Sequence, residues 1–362
     1  MTKMARVLVE YSLGIRPGQR LLIEGRALAQ PLMYEVYRRA LQAGGLPELR
    51  VTLEGFEELF YREATEAQLD APPSPLLMTS VRDYQAILTI LGNYNTRSLS
   101  AIDPVRIARR SRGHAEYAHM RMSRIGTGEL HWCGTQYPAA ADAQEASMSL
   151  SDYEEFVFAA CLVMEDDPVA AWRRVHEEQA AMVERLEAVS AFRIKAPGTD
   201  LRFGAAGRKW INCDGRLNFP DGEIFTGPLE NSVEGEISFS FPGIYAGQEI
   251  EGIWLKFAAG QVVEAKAAKG EALLYALLDT DEGARRVGEI AVGTNFAIQK
   301  FTRNMLFDEK IGGTVHLALG HGIVESGSKN ESAIHWDMLC DMRQGGEMYA
   351  DGALIYKDGR FV

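Results

Sequence analysis

Cysteine is scarce. Cys133, Cys161, Cys213 and Cys340 are the four in a chain of 362 residues, they are scattered, and no C-x-x-C occurs. A disulfide scaffold is excluded, and the four read as reduced, buried thiols of a cytoplasmic protein. Long apolar runs are missing as well. No stretch approaches the roughly 18 residues of a membrane span. The opening MTKMARVLVEYSLGIRPGQR has no apolar core followed by a small-residue cleavage site, so it does not read as a signal peptide. Positive charge falls short of negative: Lys and Arg number 38, Asp and Glu 50, and the formal net charge is −12. That balance argues against nucleic-acid partners and against attraction to an anionic membrane. Nucleotide-binding glycine patterns are absent, since neither G-x-G-x-x-G after a strand nor G-x-x-x-x-G-K-[ST] is found. There is no internal repeat and no low-complexity segment.

What remains is an ordinary globular composition, 46% hydrophobic and 24% charged. The length exceeds what one core usually spans, so two domains are expected. Residues 20–25 (RLLIEG), 48–53 (ELRVTL) and 86–91 (AILTIL) are strand-like, and residues 27–41 carry apolar positions at helical spacing before Gly44-Gly45. Strand–helix alternation of this kind predicts an α/β domain with a parallel sheet, assigned to residues 1–190. Residues 103–122 are basic and helical in pattern. Ser151-x-x-Glu154 has the form of a capping box before an apolar helix. Residues 168–189 predict a helix with a charged, solvated face of Arg173, Arg174, Glu177, Glu178, Glu184 and Arg185. From about residue 192, short β-like runs alternate with Gly, Asp, Asn and Pro, interrupted by one helix over 270–278. The chain closes on a hairpin turning at Asp351-Gly352. Residues 191–362 are therefore expected to form a β-rich α+β domain.

Three of the seven histidines fall between residues 316 and 335. His316 lies in GTVHLALGHG, with His321 five residues on. His335 and Asp337 stand two apart in SAIHWDM. A strand there puts both on one face and turns Trp336 toward the core. An imidazole and a carboxylate side by side on a rigid strand make half a site for a divalent metal, although the spacing alone also fits a satisfied polar pair. Glu223 follows the Pro220-Asp221-Gly222 turn, and Glu289 enters an apolar run in VGEIAVGTN. Each alone fits an edge-strand glutamate facing water. A carboxylate buried in such a run is costly unless paired or bound to metal. Two glutamates, two histidines and an aspartate suit a pair of Zn²⁺- or Co²⁺-like ions.

The segments PDGEIFTGP, VGEIAVGTN, DEKIGGTVHLALG and IHWDM, in this order, resemble the thermophilic aminopeptidase family of metallopeptidases, of the aminopeptidase T and aminopeptidase S type. So do the opening LVEYSLGIRPGQRLLIEG with PLMYEVYRRALQAGG, and the middle stretch YPAAADAQEASMSLSDYEEFV. The likeness extends over almost the whole chain. It implies an α/β N-terminal domain, a metal-carrying C-terminal domain, a homodimer, and removal of N-terminal amino acids from peptides. It implies two divalent ions, Zn²⁺ or Co²⁺ and also Mg²⁺. The family's metal-binding positions fall on Glu223, Glu289 (typically bridging both ions), His316, His335 and Asp337.

The pattern departs at one place. Members such as aminopeptidase S carry a tyrosine, thought to help catalysis, seven residues after the strand histidine. Here that position is Ile323, and the segment between His316 and His335 is shorter. If the strand continues past Gly320, His321 shares a face with Ile323 and is a candidate for the missing role, against a solvent-facing loop histidine. Glu325 is a candidate proton shuttle only by nearness to the motif. Two further readings stay open: a catalytically impaired metal-binding homologue, and a related two-metal amidase or dipeptidase.

Overall fold

The computed structural model describes residues 1–245 and 247–362. These divide into two compact units, Met1–Trp172 with Gly215–Pro220, and Arg173–Asp214 with Asp221–Val362. The first division falls inside the helix Pro168–Glu187, which Asp167 caps by accepting from the Ala170 amide at 3.3 Å. Residue 190, where the sequence reading divides the domains, lies just beyond the end of this helix.

The first unit holds a parallel five-stranded sheet, in the order Leu46–Thr52, Arg20–Arg26, Ala86–Leu91, His131–Gln136, Asn218–Phe219. The first three strands are those expected from their apolar runs. The strand His131–Gln136 (HWCGTQ) was not foreseen, because half of its residues are polar. Its burial is paid in hydrogen bonds: Thr135 Oγ1 donates to the Phe219 carbonyl at 2.7 Å, and Trp132 Nε1 to Thr89 Oγ1 at 2.9 Å. The helix expected from Ser151-x-x-Glu154 begins earlier. Ser149 is its cap, accepting from the Asp152 amide at 3.1 Å, and Ser151 lies in the first turn of Leu150–Ala160.

The basic run forms two helices, Pro104–Gly113 and Ala115–Gly126, neither of which fully buries a residue. Their arginines tie down neighbouring backbone. Arg106 Nε donates to the Tyr61 carbonyl at 2.7 Å and Arg110 Nη1 to that of Ala71 at 3.1 Å. Arg124 Nη1 reaches the carbonyls of Val81, Arg82 and Tyr84 at 2.6, 2.8 and 3.1 Å. Its Nη2 reaches the Glu129 carbonyl at 3.1 Å.

The second unit contains an antiparallel eight-stranded sheet and an antiparallel five-stranded sheet. The latter runs His335–Asp341, Thr314–Gly320, Val287–Gly293, Glu223–Thr226, Ile211–Cys213. Alternation gives the five-stranded sheet two unlike faces. Ile224, Ile290, Val292, Val315, Leu317, Leu319, Trp336 and Met338 enter the core with Ile194, Leu201, Ile237 and Leu255 of the larger sheet. A bulge between Val287 and Glu289 lets Val287 join that core opposite Leu319, while Glu289 turns to the other face opposite Ala318. On Pro168–Glu187, Arg173, Arg174, Glu177, Glu178, Glu184 and Arg185 are exposed, and Trp172, Gln179 and Leu186 are buried.

The Arg124 guanidinium is a forked donor that one ammonium cannot reproduce. Arg124→Lys and Arg124→Met should each lower stability by about 1–3 kcal/mol, from carbonyls left unpaired. The shift of the urea midpoint measures it. An Arg124→Lys chain with an unchanged midpoint would show that the fork does not matter.

Candidate metal centre

The non-core face of the five-stranded sheet carries the acidic and imidazole side chains. Glu289 and Asp337 both lie across from Ala318, His316 across from Ala291, His335 across from Gly320, and Glu223 across from Gly293. Each polar side chain therefore projects beside a residue with little or no side chain. Two adjacent strands repeat one pattern, Glu289-x-Ala291-x-Gly293 and His316-x-Ala318-x-Gly320, which opens space in the middle of the face.

The five expected side chains converge. His316 Nε2 is 3.3 Å from Glu223 Oε2 and 3.4 Å from Glu289 Oε1. His335 Nε2 is 3.6 Å from both Glu289 Oε2 and Asp337 Oδ2. The two oxygens of Glu289 thus face different imidazoles. His316 is fully buried, and Glu223 and Glu289 are 5% and 6% exposed. His335 keeps 31% of its side-chain exposure, making it the most open of the set. Its Nδ1 donates to the His321 carbonyl at 2.7 Å, leaving Nε2 to face the acids. A metal-ligating histidine is commonly oriented this way.

His321 and Glu325 do not join the set through their side chains. The strand ends at Gly320, so the face that His321 and Ile323 would have shared does not form. The His321 side chain is exposed, and only its carbonyl engages His335. Ile323 precedes a short 3₁₀ turn, Val324–Ser326, in which Glu325 is exposed.

Five further residues went unforeseen. Glu309 forms a cluster of donor atoms with His316 and Asp337, all within 4.8 Å of one another, and Glu223, Glu289 and His316 form another. His316 is common to both. Cys213, Asp221 and Glu223 make a third. Lys310, with no exposed surface, places Nζ 3.4 Å from Glu223 Oε1 and against Glu309. Glu309 and Lys310 belong to the DEKIGG segment, and a charged pair entering an apolar strand was the signal available for them. Gln179 is buried on its helix. Its Nε2 donates to Asn212 Oδ1, the Cys213 carbonyl and the Glu223 carbonyl at 2.6, 3.0 and 3.2 Å, while its Oε1 accepts from Thr294 at 2.7 Å. It pins the backbone on which Glu223 stands.

These donors suit a divalent metal. Glu223 Oε2, Asp337 Oδ1 and both ring nitrogens of His316 are buried without a hydrogen-bond partner among the described residues. Buried polar atoms are rarely left so. Carboxylate oxygens and imidazole nitrogens standing 3.3–3.6 Å apart are poorly set to bond one another and well set to share a cation.

Without metal, the surroundings of these groups favour their protonated forms. Burial works against charged His316, but the Glu289 contact and the charges of Glu223 and Asp337 outweigh it and raise its pKa. Burial likewise opposes charged His335, and Asp337, Glu289 and the His321 carbonyl prevail and raise it. Burial, aided by Glu289, raises Asp337 against the pull of His335 and His316. Burial lifts Asp308, next to Glu309, to about 7. All four bind their protons more tightly folded than unfolded. They therefore stabilise the fold below their ordinary values, and that stabilisation is lost as pH rises through the raised ones. Metal-stripped protein should resist urea better at about pH 6 than at about pH 8, and divalent metal should reverse the trend by replacing protons. Stability of the stripped protein that is flat or rising over that interval would contradict this.

Comparison with known proteins shows the family of the chain. The chain matches the model of the thermophilic metalloprotease family (M29) over residues 1–361. It is 30% identical to aminopeptidase T of Thermus aquaticus, covering 100% of this chain and 96% of that protein. It is 28% identical to aminopeptidase AmpS of Bacillus subtilis, covering 98% and 94%. The structure of wild-type AmpT from Thermus thermophilus superposes with a TM-score of 0.87 at 26% identity, covering 100% of this chain and 98% of that one. A 2,5-dihydroxypyridine dioxygenase from Pseudomonas putida KT2440 shares the fold alone, with a TM-score of 0.62 at 13% identity. Matched along its length, the chain belongs to the thermophilic metalloprotease family M29 and is a metal-dependent peptide hydrolase.

Proposed function

We propose that the chain is an aminopeptidase that releases N-terminal amino acids from peptides at a centre of two divalent ions, Zn²⁺ or Co²⁺ with Mg²⁺ as a further candidate. The observation that carries the ion count is charge. Glu223, Glu289, Glu309, Asp337 and Asp221 gather five carboxylates in or beside the clusters, and Lys310 supplies one fixed positive charge. With both imidazoles neutral, as metal ligands must be, four negative charges remain, the charge of two divalent ions. The aminopeptidase names of the relatives support the substrate class.

Glu223, Glu289, His316, His335 and Asp337 are the proposed ligands, with Glu309 added to the Asp337 side. Glu289 is the proposed bridge, because its two oxygens address different imidazoles. Bound divalent ions would supply Lewis acidity and a water of lowered pKa. The chain's own part is to hold the donors in place. Gln179 fixes the Glu223 backbone, the His321 carbonyl sets the His335 tautomer, and the buried sheet keeps solvent from the His316 side. The partly open His335 side is the proposed approach for a peptide. The second compact unit is the proposed catalytic domain. A homodimer, from the family likeness, and a cytoplasmic location, consistent with four free cysteines, complete the reading.

A second reading is a metal-binding homologue of little peptidase activity. It rests on Ile323, which offers no acid–base group where other members carry tyrosine. Amino-acid anilides and N-terminally blocked peptides, assayed with added Co²⁺, Zn²⁺ or Mg²⁺, separate the two. Cleavage of free-amine substrates only supports the aminopeptidase; no cleavage by a metal-loaded chain supports the homologue, and hydrolysis of blocked substrates supports an amidase. Glu289→Gln should lose one metal equivalent and nearly all activity, and His335→Ala should weaken one ion more than the other. Two tightly held metals and near-normal turnover in Glu289→Gln would defeat the bridge.

A further inference from the structure

Lys310 is a fully buried lysine in a centre of otherwise acidic and imidazole groups. An isolated buried ammonium is strongly disfavoured, so its position has to be justified by what surrounds it. Its Nζ lies 3.4 Å from Glu223 Oε1 and against Glu309, and Asp221 and Cys213 are further electrostatic neighbours. Glu223 is thereby engaged from two sides: Oε1 meets Lys310, and Oε2 lies 3.3 Å from His316. On the Lys310 side, donor atoms of Cys213, Asp221 and Glu223 lie within 4.8 Å of one another, which is close enough for a cation. A thiol with two carboxylates would select a softer ion than the carboxylate–imidazole donors around His316.

We propose that Lys310 is a positioning residue serving as a resident cation of the metal centre: its ammonium ties Glu223 to Glu309 and keeps the Cys213 side of Glu223 closed to metal. The proposal rests on the two-ion reading. Lys310 fills the cation requirement of one end of the site with a group tethered to the chain. It links one member of the Glu223–Glu289–His316 cluster to one member of the Glu309–His316–Asp337 cluster. Glu223 Oε1 is held away from a third ion, and Oε2 is left to the His316 side.

Lys310→Met removes the charge at nearly constant volume. The probe is Co²⁺ alone, because a thiolate ligand to Co²⁺ gives a sulfur-to-metal charge-transfer absorption that carboxylate and imidazole do not. Wild type should bind two Co²⁺ per chain by equilibrium dialysis, without that absorption. Lys310→Met should gain one equivalent together with the absorption, and adding Cys213→Ser to it should remove both. Loss of packing alone would not create a cobalt–sulfur signal. With Lys310 present, Cys213→Ser alone should leave Co²⁺ stoichiometry and spectrum as in wild type, and if Lys310→Met does not fold, Lys310→Gln, neutral and polar, should show the same gained equivalent and absorption. A sulfur signal in wild type, its absence from folded Lys310→Met, or altered Co²⁺ binding in Cys213→Ser would each overturn the role of Lys310. A wild-type count other than two, with the signal still appearing only in Lys310→Met, would refute the two-ion reading and support Lys310 as the closing cation.

Discussion

The constraint on which the second unit depends is a surplus of buried negative charge around one histidine. His316 has no exposed surface and belongs to two clusters of donor atoms. Carboxylates in such a place cannot remain ionised without compensation. The chain supplies one permanent cation, Lys310, and leaves the rest to protons or metal. The raised values of His316, His335 and Asp337 are the metal-free side of that exchange. With the proposed ligands, metal and proton compete for the same atoms, so the pH behaviour of the fold and its metal binding would have one origin.

The sheet makes the surplus geometrically possible. Its core face is Ile, Val, Leu, Trp and Met, which anchor the strands against the larger sheet. The opposite face is ruled by small residues. Ala291, Gly293, Ala318 and Gly320 stand beside the acids and imidazoles, so four neighbouring strands can each contribute a long polar side chain without collision. A larger residue at Gly293 would be met by backbone: a Cβ there lies 2.2 Å from the Ile311 carbonyl oxygen. The same contact brings the segment carrying Glu309 and Lys310 beside the site. Packing on one face and chemistry on the other are two consequences of the period of two.

That period is also why part of the site was legible in the sequence. His335-x-Asp337 on one strand, and glutamates entering apolar runs, predict a shared face without tertiary information, and the likeness to a known family orders them. The repeated pattern of Glu289-x-Ala-x-Gly and His316-x-Ala-x-Gly was an available signal that went unused. Glu309, Lys310 and Asp221 lie outside the regular strands, and Cys213 ends one, so no period aims them. Gln179 sits on a helix whose charged face hides the significance of a single buried amide. In the first unit, HWCGTQ is a strand because its polar atoms find partners, and the arginines of residues 104–126 hold carbonyls. Both facts depend on contacts distant in sequence.

The fold itself leaves the activity open. A dioxygenase shares it at 13% identity, so the arrangement of strands does not choose between hydrolysis and other metal chemistry. The choice must lie in the donor set and in the segments that close over it. Here the connection from His316 to His335 is drawn tight. Asn330, 7% exposed, donates to the carbonyls of Gly320 and Gly283 at 2.6 and 2.9 Å, and the Gly322 amide returns to the Asn330 carbonyl at 2.9 Å. These bonds terminate the strand and set the His321 carbonyl where it orients His335. Ile323 lies inside this tied connection. The departure from aminopeptidase S-like members therefore lies in the connecting loop, whereas Glu223, Glu289, His316, His335 and Asp337 stand on strands of the sheet.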